Sequence, residues 1–325
     1  MTKSSLHERA GWTPTRMNNL KDKTYLVTGA NSGVGFQTCR LLLSKGASIV
    51  MLNRSESKSK LAISDLRQEF GNSAQVRFIH LNLASLESVK QCAHTVLEQV
   101  PIVHALICNG AIAQIATQQF TEDGFESQLG VNHYGHFLLC GLLFDRLEAS
   151  QGRIVVVSSE GHKMGLRSIQ FNDINWDNNY HPNKVYSQSK LAQMMFAYEL
   201  QNKIAANKKQ VKVYVCHPGA SNTSLIRDSA SITTRLTWSI MVKLGLAQSA
   251  EKGAYPSVMC AIEEDLEQRA YYGPTGLMNF GGPVGQCALQ PFVLDGEVMQ
   301  KLWALSEVST KFDWCKDTHL YIKSS

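Results

Sequence analysis

A tyrosine and a lysine stand four residues apart in Tyr186-Ser187-Gln188-Ser189-Lys190, within a segment from Val185 to Leu200 that predicts one helix. That spacing puts both side chains on one helical face, one turn from each other. An ammonium beside a phenol favours the phenolate, so the pair predicts a tyrosine pKa below its ordinary value of about 10. Such a tyrosine exchanges a proton near neutral pH, as carbonyl reduction or alcohol oxidation requires. The same spacing also occurs in plain surface pairs, so the chemistry depends on a hydride carrier being bound nearby.

Thr24 to Val27 is a short apolar strand running into Thr28-Gly29-Ala30-Asn31-Ser32-Gly33-Val34-Gly35, and a helical pattern with Phe36 and Leu41 to Leu43 follows at once. Glycines between a strand and a helix allow a tight turn and let backbone N–H groups approach a pyrophosphate at the helix N-terminus. The alternative is a glycine turn with no ligand. The spacing differs from the commoner Gly-x-Gly-x-x-Gly, and no Lys-Ser/Thr ending marks an ATP-binding loop. After the next strand, Ser48 to Leu52, comes Asn53-Arg54-Ser55, with no carboxylate before Glu56 to hold a ribose 2′-hydroxyl. The Arg54 fork matches a 2′-phosphate, so NADP(H) is expected over NAD(H).

Further strands are read at Val76 to Leu81, Val103 to Cys108, Ile154 to Val157 and Val211 to Cys216. Helices are read at Glu56 to Phe70, Leu86 to Val100, about Glu122 to Ala149 and Leu294 to Ser306. Short, continuously apolar strands alternating with helices predict an α/β fold, a single doubly wound parallel sheet covered on both faces. After Pro218 the alternation stops. Residues 221–270 look helical, and Ala270 to Pro291 is rich in glycine and proline, so a mainly helical C-terminal extension is expected. The domain plan is a polar arm over 1–22 docked through Trp12, one dinucleotide-binding domain over 23–310, and a tail over 311–325.

Of the 325 residues, 44% are hydrophobic and 18% charged, and the net charge is +5, with no basic stripe for nucleic acid. The eight cysteines are dispersed, without Cys-x-x-Cys or zinc-like spacing. No signal-peptide run and no stretch of ~18 to 20 apolar residues appears, so a soluble cytoplasmic protein is expected. His133 and His136 lie one helical turn apart, but no third ligand has convincing spacing, and a structural role is favoured.

Thr28-Gly29-x-x-x-Gly33-x-Gly35 together with Tyr186-x-x-x-Lys190 resembles the short-chain dehydrogenase/reductase family. Cys108-Asn109-Gly110-Ala111, the phrase from Val131 to Phe137, Val157-Ser158-Ser159 and His217-Pro218-Gly219 match in the same order. The likeness is nearest the branch of retinol dehydrogenases, WW-domain oxidoreductases and protochlorophyllide reductases. It implies that Ser159 hydrogen-bonds the substrate oxygen, Tyr186 transfers the proton, and Lys190 tunes Tyr186 and holds the nicotinamide ribose. It also implies that Asn132 organises a water relay. Cofactor contacts would come from Gly29, Asn31, Ser32, Gly33, Val34 and Gly35, then from Arg54, Asn82 and Leu83, and from Asn109 and Gly110. Pro218, Gly219 and Thr223 would border the nicotinamide. Cys108 stands where the family commonly has Asn, Gly110-Ala111 inverts its small pair, and Asn82 replaces a usual Asp. Asn82 still accepts and donates hydrogen bonds.

Two segments, 161–184 with Met164, Leu166, Phe171 and Trp176, and 223–250 with Leu225, Ile226, Trp238 and Met241, are expected to form the substrate pocket. Their apolar side chains favour a hydrophobic carbonyl or alcohol, though the same residues also suit a core. Reduction of a C=C bond and a non-catalytic dinucleotide sensor are the alternatives. The resemblance further implies a homodimer or homotetramer.

Overall fold

A computed structural model describes residues 11–221 and 247–321. Six strands follow the expected alternation: β1 Thr24–Thr28, β2 Ser48–Asn53, β3 Val76–His80, β4 Ala105–Cys108, β5 Arg153–Val157 and β6 Lys212–Cys216. The helices between them are α1 Gly33–Leu43, α2 Glu56–Phe70, α3 Leu86–Gln99, α4 Gly135–Ala149 and α5 Pro182–Ala206. Neighbouring residues within a strand enter opposite cores. Leu26, Val50, Leu106 and Ile154 pack on one side with α3, α4 and α5. Tyr25, Met51, Ile107 and Val155 pack on the other with α1 and with α6 Ala250–Ile262. Both sheet faces are therefore buried, which is why these strands read as continuous apolar runs.

The strand order is β3-β2-β1-β4-β5-β6-β7-β8. The order reverses between β1 and β4, the place where doubly wound sheets open a crevice at the carboxyl ends of their strands. The last two strands, β7 Tyr271–Pro274 and β8 Val284–Cys287, fall in the stretch whose glycine and proline content hid them. β7 runs parallel to β6, and β8 turns back antiparallel. Trp12 from the preceding arm is buried, donates Nε1–H to Glu263 Oε1 at 2.6 Å, and donates its backbone N–H to the Val284 carbonyl. At the other end of the chain, beyond α7 Gly296–Thr310, the side chains of Phe312, Trp314 and Leu320 enter the core. Gly141 on α4 has no Cβ because one would overlap the Phe312 ring.

The helix expected from about Glu122 starts later. Gly124 at φ +81° makes a turn, and the Glu126 carboxylate then accepts from the N–H groups of Gln128 (2.9 Å) and Leu129 (2.8 Å). Gly130–Tyr134 forms a π-helical turn before α4, carrying Asn132. Such turns occur often at functional sites. Among the described residues, no helix is long and apolar enough to cross a membrane.

Candidate active site

The glycine turn follows β1 directly. Gly29 (φ +63°) and Gly33 (φ +55°) take left-handed backbone that favours glycine. A Cβ on Gly29 would stand 2.7 Å from Gly110 Cα, and one on Gly35 would overlap the Gly29 carbonyl. Asn109 Nδ2 donates to the carbonyls of Thr28 (2.9 Å) and Gly29 (3.2 Å), and the Gly110 N–H donates to Thr28 Oγ1 at 2.8 Å. Asn109 thus ties β4 to the turn. Asn53 Oδ1 accepts the Ala30 N–H at 2.6 Å from the other side. Ser32, at the N-cap of α1, makes no side-chain cap bond, so the N–H groups that open the helix around Gly33, Val34 and Gly35 receive no side-chain cap from it. Asn31 lies within this turn.

Arg54 is exposed at the end of β2 and makes no ion pair among the described residues. A free cation there suits a phosphate. Asn82 is partly engaged: its Oδ1 accepts from the Ala84 N–H at 3.2 Å, and Nδ2 donates to Glu122 Oε1 at 3.3 Å. Leu83 packs beneath Gly110 and Gly135. The glycine cradle and the uncapped helix start fit a dinucleotide pyrophosphate, and Arg54, without an ion pair among the described residues, fits a 2′-phosphate.

Ser159, Tyr186 and Lys190 come together from the end of β5 and from α5. Gly161 Cα leaves room for the phenol, since a Cβ there would lie 2.7 Å from Tyr186 Cε1 and 3.2 Å from Ser159 Oγ. Burial raises the Tyr186 pKa, and a hydrogen bond with the Ser159 hydroxyl offsets part of the rise. This corrects the expected depression by Lys190, and the reason is electrostatic. Burial pulls Lys190 down to about 7, so near neutral pH the amine carries only part of a charge. Its Nζ donates to the Val157 carbonyl (3.1 Å) and Gln193 Oε1 (2.8 Å), and stands 5.9 Å from the Tyr186 ring centre. Gln193, one turn beyond Lys190, was not singled out from the sequence, although its helical spacing pointed at it.

Asn132 is fully buried and used on both sides of its carboxamide. Oδ1 accepts the Ile112 N–H at 2.9 Å, while Nδ2 donates to the Ile112 carbonyl and Ser189 Oγ, each at 2.9 Å. Ser189 Oγ in turn donates to the Tyr186 carbonyl. Asn132 therefore fixes the loop after β4 against the tyrosine helix. His136 bridges the Asn132 carbonyl and Thr28 Oγ1, and His133 pairs with Ser306 Oγ at 2.7 Å, which are structural roles.

Of the expected pocket side chains, Phe171 packs on the core and Trp176 is buried, while Met164 is exposed and Leu166 half-buried. Thr223, Leu225, Ile226, Trp238 and Met241 lie outside the described residues. Pro218 and Gly219 lie in the turn that follows β6, which ends at Cys216. We expect Gly161→Ala to displace the phenol and lower turnover about 100-fold with dinucleotide affinity kept, because misplacement by ~1 Å costs that much. Steady-state kinetics beside NADPH fluorescence titration would separate the two.

A family profile described as short chain dehydrogenase matches residues 23–231. Retinol dehydrogenase 13 of Homo sapiens is 38% identical over 289 residues, covering 87% of this chain and 83% of its own. The crystal structure of an uncharacterised protein from Mycobacterium paratuberculosis is 32% identical, with TM-score 0.75, and covers 94% of this chain and 99% of that one. An alcohol dehydrogenase from the archaeon Thermococcus sibiricus, complexed with 5-hydroxy-NADP, has TM-score 0.57 at 19% identity over 75% of this chain and 93% of its own, a likeness of fold alone.

Proposed function

The chain belongs to the short-chain dehydrogenase family, in its retinol dehydrogenase branch, and on that premise we propose that it is an NADP(H)-dependent oxidoreductase interconverting a carbonyl and an alcohol on a small hydrophobic substrate. The observation that carries this reading is the meeting of Tyr186 with Ser159 against Gly161, one turn from Lys190. Bound NADPH supplies the hydride. The chain's own residues manage the proton and the charge on oxygen.

In this reading Gly29, Asn31, Ser32, Gly33, Val34 and Gly35 hold the pyrophosphate, with Asn109 and Gly110 fixing the turn. Leu83 and Asn82 flank the adenosine side, and Arg54 pairs with the 2′-phosphate. Pro218, Gly219 and Thr223 border the nicotinamide. Ser159 donates a hydrogen bond to the carbonyl oxygen, and Tyr186 gives that oxygen its phenolic proton. A tyrosine whose pKa is raised keeps this proton at neutral pH, the form that carbonyl reduction needs. Lys190, with a pKa of about 7, restores the proton to Tyr186, and Asn132 keeps the relay aligned. Seven buried free cysteines suit a reducing cytoplasm. The homodimer or homotetramer remains part of this proposal on family likeness.

The test is a panel of hydrophobic aldehydes, ketones and enones followed by NADPH and NADH absorbance. Consumption on carbonyls is expected, and consumption only on the enones would replace carbonyl reduction with C=C reduction. Arg54→Ala is expected to raise the KM for NADPH about tenfold or more while leaving that for NADH unchanged, since one charge-assisted phosphate contact is lost. Equal effects on both dinucleotides would remove Arg54 from this role.

A further inference from the structure

Behind Ser159 and the Pro218–Gly219 turn lies a buried cluster of polar groups that the proposed proton chemistry leaves unused. His217, the residue between β6 and that turn, is fully buried. Its Nδ1 accepts the Gly219 N–H at 3.2 Å, so Nδ1 is unprotonated and the ring proton sits on Nε2. Nε2–H points to Cys287 Sγ at 3.4 Å, with Glu160 Oε1 at 3.7 Å. The other Glu160 oxygen pairs with Lys163 at 2.6 Å, whereas Oε1 is buried without a hydrogen-bond partner. A buried carboxylate oxygen facing Nε2 stabilises the proton on that nitrogen and keeps Nδ1 free as an acceptor.

The surroundings are shaped to this ring. Tyr271 on β7 packs against the imidazole with centres 4.7 Å apart. Gly273, two residues on, has no side chain because any Cβ would overlap the imidazole, the use expected of a glycine inside a strand. The turn is gripped from its far side as well. Gly219 has φ +64°, and a Cβ there would stand 2.5 Å from the Phe280 carbonyl oxygen and 2.7 Å from Pro274 Cγ. The Ala220 N–H donates to that same Phe280 carbonyl at 2.8 Å. The turn is thus held between one imidazole nitrogen and the β7–β8 hairpin.

We propose that His217 is a positioning residue, fixing the Pro218–Gly219 turn through its Nδ1 acceptor and, through that turn, the nicotinamide end of the cofactor site. The proposal rests on the reading that Pro218 and Gly219 border the nicotinamide. The groups facing the ring are Glu160, His162 and Lys163 from the turn after β5, Tyr271 from β7 and Cys287 from β8. Among them, burial brings His217 down to about 4, so the ring is neutral wherever the enzyme is assayed and the Gly219 bond persists.

The experiment compares the full-length wild type with His217→Phe, which fills the space without an acceptor, and His217→Asn, whose Oδ1 can accept an N–H two residues on. NADPH binding is titrated by fluorescence, kcat and KM are measured for dinucleotide and carbonyl separately, and amide exchange is followed over 217–221. His217→Phe is expected to weaken NADPH binding about tenfold, equivalent to about 1.4 kcal/mol, and to speed exchange over the turn. The KM for the carbonyl stays near wild type, and His217→Asn recovers most of both losses. A folded His217→Phe with wild-type affinity and exchange overturns the proposal, as does a His217→Asn no better than His217→Phe. A wild type that binds no dinucleotide defeats the functional reading instead, while the exchange arm still decides whether His217 holds the turn.

Discussion

Tyr186→Phe is expected to cut turnover about 100- to 10,000-fold, the range for losing a positioned general acid, while NADPH binds as it does to the wild type. The substitution removes one hydroxyl and keeps the ring that fills the space beside Gly161. The phenol is 8% exposed, and its raised pKa marks a neutral hydroxyl held in a dry site with Ser159 as its polar partner. Removing it takes away both the proton and one of two donors to the growing oxyanion, so the loss belongs in kcat. The sign of the pH dependence follows from the raised pKa. Reduction needs the protonated phenol and is sustained into alkaline solution, whereas oxidation needs the phenolate and speeds up as pH rises. Stopped-flow absorbance of NADPH in both directions reads this directly. A variant with wild-type kcat would remove Tyr186 from the proton-transfer role.

Most of the first six strands could be read from sequence because they are buried on both faces, so that Val50-Met51-Leu52 or Ile154-Val155-Val156 carries no polar alternation, while the edge strand β3 exposes Arg77 and His80. β7 and β8 could not. They are four residues each, and Gly273, Pro274 and Gly285 weaken the local strand signal, so only pairing with β6 and with each other makes them strands. The motifs around Tyr186 and Gly29 were legible because function fixes residue type and spacing together. The electrostatics were not. Whether an ammonium tunes a phenol depends on how far each is desolvated, and the burial of Lys190 comes from β5, β6 and α5 closing over it. The parts played by Gln193 and His217 were hidden for a similar reason. Each acts through one contact, with Lys190 Nζ or the Gly219 N–H, that the alternation of elements does not announce.

Relative to the wild type, the ligand-free Lys190→Met protein should fare worse in heat stability at pH 10 than at pH 6, with activity reduced throughout. An unfolded lysine titrates at about 10.4, whereas burial sets the folded Lys190 at about 7. Between those values the unfolded chain binds a proton that the folded chain does not, so wild-type stability rises with pH across this window and is lowest below it. A separation of about three pKa units corresponds to a penalty on the order of 4 kcal/mol at acid pH, which methionine escapes. Methionine also leaves the Val157 carbonyl and Gln193 Oε1 without their donor, at a cost of about 1–3 kcal/mol each that does not vary with pH. The two effects have opposite signs and only one titrates, so the variant's Tm falls relative to that of the wild type as pH rises. Parallel curves would mean that Lys190 keeps an ordinary pKa in the folded protein. A difference that shifts between pH 6 and pH 10 would mean that the fold tolerates a buried amine poised near neutrality, the property that lets it pass a proton to Tyr186 at working pH.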